Sequence, residues 1–516
     1  MTWVATAENS QHAEIFCLAD VAGSGKTAIA HTICRLCDAE HILGSSFFLN
    51  QESAARSSSD RLLINLISDL ARINDDVGKY ILKVLEGERD LLGASQSRRF
   101  ERLIVEPFHR HPVARPIVIV IDAMDEATSD DNGLLKILRD QVPKLPGTFR
   151  FFVTSRPSKE VDILSLKTHV RTQKIDVLAH NNLTDIEVYA HAQLKEMAIG
   201  LDVDNEWPSH HLLHDFARKS EGLFIWAFTV CKYLRNMTRP DKEVDKFLSD
   251  RNQSSIPTGL PVEETMDKLY QTILNRCNWA DESFVEGYGL YMGAVVAAKI
   301  PLSSLALQSL HQTCSSLPVP DVFRPLNSLM NNVDHPNQPI RVAHLSLRDF
   351  LTSRAPEQFR LDKKEHSQRL ALLCLKVMNR NLNPSMPGLQ AMPHWETMPD
   401  ITDHDISEEL WYACRFWTDH ITDSGPNVSD ELIDELLKLL SVHMVPWMGI
   451  VTAKGQFQRF YQVRDWIKVR GQSGILTHCR LILCTSTRSD FPVDAISCVL
   501  HFSAALRIRL TDLRSS

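Results

Sequence analysis

Short apolar runs alternate with amphipathic segments through the first third of the chain. The segment Arg56–Ala71, for example, repeats apolar residues at helical spacing. Strands that alternate with helices favour a parallel sheet with helices on both faces, a three-layer α/β fold. The predicted strands are Glu14–Ala19, Ser45–Leu49, Pro116–Ile121, Phe149–Thr154 and, as a fifth, Gln173–Val177.

The pattern becomes helical from Thr184 onward, and helices dominate to about residue 423. The segment Ser254–Glu264 contains proline and glycine and predicts a domain boundary. Leu382–Pro399 is rich in methionine and proline, and we interpret it as an irregular connection. Ser429–Val445 begins with a good helix cap and has helical periodicity. We find no internal repeat at a fixed period.

Composition places the chain among ordinary globular proteins. Of its 516 residues, 44% are hydrophobic and 23% are charged, so it can bury real cores. A formal net charge of −8 gives no electrostatic case for binding nucleic acid or a membrane surface. No apolar run approaches the roughly 20 residues of a membrane span, and the first residues do not resemble a signal peptide. We therefore expect a cytoplasmic protein.

Eleven cysteines agree with a reducing compartment if most of them are buried. Cys34 and Cys37 form a C-x-x-C pair on a predicted helix, but no second pair stands at zinc-finger spacing. We therefore predict that they pack in the core, and the alternative is a redox or metal site.

The segment Asp20–Thr27 reads DVAGSGKT and lies between the first predicted strand and a predicted helix. Strand, glycine-rich loop and helix in this order are the context of the phosphate-binding motif G-x-x-x-x-G-K-[ST]. The glycines allow the backbone to approach phosphate, and the helix N-terminus attracts the anion. Lys26 is predicted to reach the β- and γ-phosphates, and the Thr27 hydroxyl to ligate Mg²⁺. The predicted nucleotide-binding residues of the loop are Ala22, Gly23, Ser24, Gly25, Lys26 and Thr27.

One residue departs from this motif, because Asp20 stands where it expects glycine. Aspartate tolerates a left-handed backbone better than most residues, so the turn can survive. It also brings a carboxylate close to a polyphosphate. Our hypothesis is that the site binds nucleotide with reduced affinity or turnover.

The predicted strand Pro116–Ile121 is apolar throughout, as expected of a strand buried on both faces, and it ends in DAMDEA. Asp122 stands where a Walker B carboxylate holds the Mg²⁺ shell. Asp125 and Glu126 follow, and we predict that one of them polarises the attacking water as the catalytic residue. The alternative is an acidic turn with no catalytic role.

Arg156 follows the predicted strand Phe149–Thr154. It therefore belongs to the carboxyl edge of the sheet, where ligands bind in open α/β folds. Its order after the other two motifs predicts a sensor of the γ-phosphate. The alternative is a surface arginine.

Together these motifs resemble the NACHT family of signal-transduction NTPases, in the STAND class of P-loop ATPases, and the fungal branch is the closer match. The likeness extends from about Glu14 to His420 and is strongest in the NTPase motifs. It is carried by VAGSGKTAIAHTIC, LGSSFFLN, VIVIDAMDEA and FFVTSRP, and then by EGLFIWAFTVCKYL, MDKLYQTIL, YMGAVVAAKIPLSSLAL, RVAHLSLRDFL and WYACRFWTDHI.

The resemblance implies a role for His344, because RVAHLSLRDFL is similar to the winged-helix segment whose histidine touches the nucleotide's phosphate in animal relatives. Ala343 departs from the bulkier residue that relatives often have there. The resemblance also implies a division of the chain into segments. These are an extension at 1–13, an NTPase core at 14–180, a helical subdomain at 181–256, a winged-helix-like region at 257–360, a helical region at 361–445 and an uncertain tail at 446–516.

The implied function is a slow nucleotide-dependent switch that binds ATP, or GTP, together with Mg²⁺ and controls self-association or signalling. Members of the class usually carry an effector domain and a repeat array as well. Only about 13 residues precede the first predicted strand, and we find no repeats. We therefore expect the central switch alone, as a truncated family member, an incomplete gene model, or a protein that works with effector or sensor proteins in trans. The alternative is a non-hydrolysing nucleotide-binding or protein-interaction scaffold with a degraded loop. A metabolic kinase fits less well, because about 250 further helical residues follow the core.

Overall fold

The computed structural model describes most of the chain. The chain divides into two compact units, residues 1–269 and 270–516. The finer boundaries predicted above stay predictions. No helix in the described part is long and apolar enough to cross a membrane. The described residues are 3, 13–49, 59–127, 133–175, 179–199, 201, 203, 206–249, 262–312, 317–382, 405–425, 428–454 and 466.

Some predictions fall outside these residues. The predicted boundary Ser254–Glu264 is described only from residue 262, and the predicted connection Leu382–Pro399 only at Leu382. The predicted tail is described only to residue 454 and at Trp466.

Five parallel strands of the first unit form one sheet in the order β2-β3-β4-β1-β5. The strand that precedes the phosphate loop therefore lies inside the sheet, between β4 and β5. The first four predicted strands are confirmed with shifts of at most two residues. The strands are β1 Glu14–Ala19, β2 Leu43–Phe48, β3 Ile117–Asp122, β4 Phe149–Ser155 and β5 Val170–Gln173.

The prediction for the fifth strand is wrong in position. We predicted Gln173–Val177, whereas β5 ends at Gln173, and Lys174 and Ile175 lie outside any strand. Its register pairs Val170 with Ile15 of β1. An edge strand is half-buried and polar, so its position is set by hydrogen bonds to β1, which hydrophobicity does not reveal.

Alternate residues of the strands enter two separate hydrophobic clusters, one on each face of the sheet. In β3, Ile117, Ile119 and Ile121 belong to the larger cluster, and Val118 and Val120 to the smaller one. This alternation follows from the two-residue period of a strand, and burial on both faces explains the apolar sequence.

Helices cover both faces of this sheet, as the three-layer interpretation requires. Helix α1 contributes Ala30 and Cys37 to the smaller cluster, and α2 and α3 contribute to the larger one. The helices of the first unit are α1 Lys26–Ala39, α2 Ser59–Ala71, α3 Asp75–Gly87, α4 Gln96–Phe100, α5 Glu106–Arg110, α6 Gly133–Lys136, α7 Lys159–Ser165, α8 His180–Ala198, α9 His210–Lys219, α10 Phe224–Arg235, α11 Pro240–Ser249 and α12 Val262–Leu274. Helix α12 continues into the second unit.

The predicted packing of the C-x-x-C pair agrees with the structure. Cys34 and Cys37 are free thiols on α1, half-buried and buried respectively. Burial raises the pKa of Cys37 to about 11, which suppresses the reactive thiolate.

The second unit is mainly helical and includes a short antiparallel ladder of β6 Met330–Asn331 and β7 Arg341–Val342. Two of its helices, α18 and α19, pack against each other along their length. The helices are α13 Glu282–Gly287, α14 Gly293–Ala297, α15 Ser304–Leu310, α16 Val319–Phe323, α17 Leu345–Asp349, α18 Lys363–Asn381, α19 Glu408–Asp423, α20 Asp430–Lys438 and α21 Met444–Ala453. The predicted cap of α20 is present, since Ser429 Oγ accepts the Leu432 amide.

Candidate nucleotide-binding site

The predicted phosphate loop connects the end of β1 to the start of α1. Gly23 and Gly25 both have left-handed backbones, with φ of 82° and 95°. Gly25 immediately precedes the first residue of α1, which is Lys26. The structure therefore has the strand, loop and helix that the motif requires, and the glycines stand where L side chains would be strained.

The Lys26 side chain lies against the loop itself. Its Nζ donates to the carbonyl oxygens of Asp20 and Val21, at 2.7 and 2.6 Å. Burial lowers the Lys26 pKa, and the neighbouring carboxylates oppose that change. The ammonium group is thus held at the phosphate loop, where it can attract an anion.

Asp122, the last residue of β3, joins the loop to that strand. Its Oδ2 accepts the Thr27 hydroxyl at 2.8 Å, and its Oδ1 accepts the Thr154 hydroxyl at 2.5 Å. The Ala123 amide in turn donates to Thr154 Oγ1 at 2.9 Å. Asp122 is only 3% exposed, so this carboxylate is fixed by hydroxyl donors from two other segments.

Asp125 and Arg156 form a pair beside this group. The Arg156 amide donates to Asp125 Oδ1 at 2.9 Å, and Arg156 Nε lies 3.3 Å from Asp125 Oδ2. Ala123, with φ of 57°, turns the chain after β3 so that Asp125 and Glu126 follow in a short 3-10 turn. The predicted catalytic carboxylates and the predicted sensor therefore gather at the same edge of the sheet.

The oxygen atoms of Thr27 and Asp122 fit a Mg²⁺ ion. Hydroxyl and carboxylate oxygens are its preferred protein ligands, and adjacent ligands of an octahedral shell lie about 2.9 Å apart. The Thr27 Oγ1 to Asp122 Oδ2 distance of 2.8 Å matches that spacing. Among the described residues, no group of three or more His, Cys, Asp or Glu side chains could hold a metal ion. A Mg²⁺ ion here would therefore need oxygens from phosphate and water.

Asp20 turns its carboxylate inward. The side chain is 7% exposed, and Oδ1 accepts the Val21 amide at 2.7 Å. Oδ2 is buried and has no hydrogen-bond partner among the described residues. The predicted departure from the motif thus places a buried carboxylate beside Lys26. Burial lowers the Lys26 pKa, and the charge of Asp20 opposes that change.

The N-terminus of helix α10 rests on the phosphate loop. The Ile225 amide donates to the Gly23 carbonyl at 3.2 Å. A Cβ on residue 23 would lie 2.1 Å from Ile225 Cγ2, and a Cβ on residue 25 would lie 3.8 Å from Phe224 Cδ2. Two apolar side chains of a helix about 200 residues further along the chain therefore contact the loop at its glycines.

A strained turn holds this helix in place. Glu221 and Gly222 both have left-handed backbones, with φ of 48° and 77°. The Thr265 hydroxyl donates to Glu221 Oε2 at 2.6 Å, and Asn182 Nδ2 donates to the Gly222 carbonyl at 2.9 Å. Contacts from α8 and α12 therefore fix the turn that delivers α10 to the loop.

His344 belongs to the second unit, where it caps helix α17. Its Nδ1 accepts the Ser346 amide at 3.2 Å and lies 2.7 Å from Ser346 Oγ. Ser346 Oγ also lies 2.7 Å from the Tyr270 hydroxyl. This cap accounts for one ring nitrogen, and the sensor role of His344 stays a prediction.

Sequence reasoning missed two contributors to the site. Thr154 was treated only as the end of a strand, although a hydroxyl before the predicted sensor segment is a usable signal. Ile225 lies in the helix EGLFIWAFTVCKYL that the resemblance had identified. Its contact with Gly23 joins distant segments, so no local pattern could have revealed it.

Comparison with known families adds one finding. A family model described as Nephrocystin 3, N-terminal, matches residues 2–156, which extend from before β1 to Arg156. This span is less than half of the chain, and it includes the predicted phosphate loop, β3 and the acidic residues that follow β3. No curated protein matches the chain. The matching family is not the NACHT family itself, so the NACHT interpretation stays a prediction.

Proposed function

We propose that the chain is a nucleotide-binding regulatory NTPase switch of the NACHT/STAND type, acting in the cytoplasm. One observation carries the proposal: Thr27 at the end of the phosphate loop is hydrogen-bonded to Asp122 at the end of β3. Two segments about 95 residues apart thereby form a single oxygen-rich group beside Lys26. Such a group suits the phosphates of a nucleotide and their Mg²⁺ ion.

Three further observations support this proposal. Strand β4 lies between β1 and β3, so that Thr154 and Arg156 are next to both motifs. The Asp125–Arg156 pair offers a carboxylate near the attacking water and a cation for the γ-phosphate. Phe224 and Ile225 of α10 contact the loop, which links the predicted phosphate site to a helix outside the sheet.

The proposed switch depends on a difference between two nucleotide states. A diphosphate would hold the closed form, and a triphosphate would favour an open form that self-associates. A ligand shifts such an equilibrium only if it binds one form more tightly than the other. Arg156 is the proposed sensor in the site, and His344 is a second sensor proposed on the family resemblance alone. The winged-helix interpretation of its surroundings also belongs to this proposal, supported by the β6–β7 ladder.

Nucleotide titration of the full chain tests the binding site. Lys26→Ala is expected to weaken the binding of Mg·ADP and Mg·ATP at least a hundredfold, because it removes the cation of the loop. Lys79→Ala is the matched control, since Lys79 is an exposed lysine of the same unit paired only loosely with Asp76 at 3.9 Å. Equal affinity in wild type and Lys26→Ala would rule out the proposed site. The nucleotide that co-purifies with wild type identifies the preferred base.

Light scattering tests the switch. Addition of Mg·ATP is expected to increase the mass of the wild-type particle, and Lys26→Ala should remove this response while Lys79→Ala keeps it. Self-association that is the same in Lys26→Ala would show that nucleotide does not control it.

A second function deserves a test because of Asp20, whose buried carboxylate lies at the loop. This observation favours a scaffold that binds nucleotide without hydrolysing it. Phosphate release above background that disappears in Glu126→Gln supports the NTPase. Binding without any phosphate release in wild type supports the scaffold.

A further inference from the structure

We propose that the Asp20 carboxylate makes nucleotide binding depend on a divalent cation, so that the loop rejects metal-free nucleotide. This inference rests on the proposed nucleotide site and concerns its regulation. It goes beyond a general loss of affinity, because it assigns the loss to one ionic form of the ligand.

The first argument is the position of the carboxylate. Asp20 follows the last residue of β1, and its amide donates to the Ser155 carbonyl at 3.1 Å. Its Oδ1 accepts a hydrogen bond from the Val21 amide at 2.7 Å, so one amide of the loop already binds a carboxylate of the protein. The other oxygen is buried with no hydrogen-bond partner among the described residues. A buried charge in this state strongly repels a second anion, because little water screens it.

The second argument is the charge balance around Lys26. The carboxylates of Asp20, Asp125 and Asp122 and the cations of Lys26 and Arg156 lie close enough to interact, and Arg156 Nε is 3.3 Å from Asp125 Oδ2. Three carboxylates therefore face two cations. With glycine at position 20, as the motif expects, two carboxylates and two cations would remain among these groups, and Glu126 adds a further carboxylate at this edge in either case. Asp20 thus adds one negative charge to the groups that a ligand would meet.

A polyphosphate adds further negative charge to this group, and the chain offers no additional cation there among the groups that act on Lys26. A divalent cation held by Thr27 and Asp122 removes the excess and neutralises part of the phosphate charge. The metal complex of the nucleotide is therefore the form that fits, and Asp20 is the residue that sets this requirement.

Calorimetric titration with ADP tests the proposal. ADP is chosen because it lacks the γ-phosphate that an NTPase would remove during the titration. Affinities are measured with excess Mg²⁺ and with EDTA for wild type, Asp20→Asn and the control Asp38→Asn. Asp38 is an exposed aspartate of helix α1, so its variant removes the same charge away from the loop. We expect EDTA to weaken ADP binding at least a hundredfold in wild type and in Asp38→Asn, but less than tenfold in Asp20→Asn.

The possible outcomes are distinct. Asp20 does not set a metal requirement if EDTA weakens ADP binding by wild type less than tenfold. The same conclusion follows if EDTA weakens ADP binding by wild type and by Asp20→Asn by the same factor. If wild type binds no ADP even with Mg²⁺, the nucleotide site itself is absent and the proposed function fails with it. Asp20→Ser, which keeps a short acceptor for the Val21 amide, replaces Asp20→Asn if that variant does not fold.

Discussion

Both units bury polar side chains, but they arrange them differently. In the first unit, buried and half-buried charged groups gather at one edge of the sheet, where Asp20, Lys26 and Asp122 lie close enough to interact. In the second unit, His311 and His420 are fully buried within helical packing. Burial lowers the pKa of these histidines to about 4 and about 3, so they are neutral at pH 7.

This difference distinguishes the predicted site of the first unit from the helical core of the second. Charged groups that converge at strand ends retain an electrostatic field that a ligand can use. Neutral imidazoles that are bonded to neighbours mainly specify packing: His311 Nδ1 lies 2.9 Å from the Leu307 carbonyl, and His420 Nε2 lies 2.7 Å from the Tyr412 hydroxyl. Four predictions test this contrast, beginning with the largest effect.

Asp122→Ala should have the largest effect in the first unit. The change leaves the hydroxyls of Thr27 and Thr154 without their carboxylate acceptor and removes the predicted Mg²⁺ ligand. We expect Mg·ADP binding to weaken more than a hundredfold, which is about 2.7 kcal/mol or more. Titration calorimetry measures this loss, and Asp38→Ala is the control. Unchanged affinity in Asp122→Ala would show that the edge of the sheet is not a metal-dependent site.

Acid should destabilise the second unit through its histidines. Because the folded-state pKa of His311 is lowered to about 4 from 6.5, its stabilising contribution is complete above pH 6.5. It is lost as pH falls from there toward 4, by on the order of 2 kcal/mol at pH 5. The charges of Arg369 and His366 add to the burial effect at His311, and those of Lys299 and Lys363 at His420.

Urea unfolding at pH 7 and pH 5 measures this loss. His311→Gln should reduce the difference in unfolding free energy between the two pH values, even if the substitution also changes the stability at pH 7. The exposed His211 serves as the control, and His211→Gln should keep the wild-type pH dependence. An equal pH dependence in His311→Gln would mean that His311 does not carry the effect.

Gly23→Ala should destabilise the first unit by about 1–3 kcal/mol, since a left-handed backbone and an overpacked contact both oppose the new methyl group. The methyl would lie 2.1 Å from Ile225 Cγ2 at a φ of 82°. Gly87→Ala is the matched control, because open space surrounds that position at the end of α3. Urea unfolding compares the two variants, and similar stabilities would argue against the packing of α10 on the loop.

Asp20→Asn should have the smallest effect on the free energy of unfolding measured without nucleotide, and the effect should be of opposite sign. It removes a buried charge with an oxygen that lacks a hydrogen-bond partner among the described residues. We expect the free energy of unfolding to stay equal or to rise by up to about 1 kcal/mol. A clear fall, measured by urea unfolding without nucleotide, would show that the carboxylate stabilises the loop.

Local pattern predicted four strands of the sheet and which side chains gather at its edge, but not the tertiary contacts around the predicted phosphate loop. The bounds of β1 match the prediction because its apolar run ends directly at the glycine loop. The fifth strand was misplaced because pairing with β1 selects it. The inward orientation of Asp20 and the contact of Ile225 with the loop depend on tertiary packing, which a linear motif does not encode.

The hydrogen bond from the Ile225 amide to the Gly23 carbonyl also makes one proton a reporter of the whole arrangement. An amide exchanges with solvent deuterium only when its hydrogen bond opens, so its protection measures how often α10 leaves the loop. Exchange at Ile225, compared with and without Mg·ADP, would give the free energy of that opening at a single backbone position, without any labelled ligand or added probe.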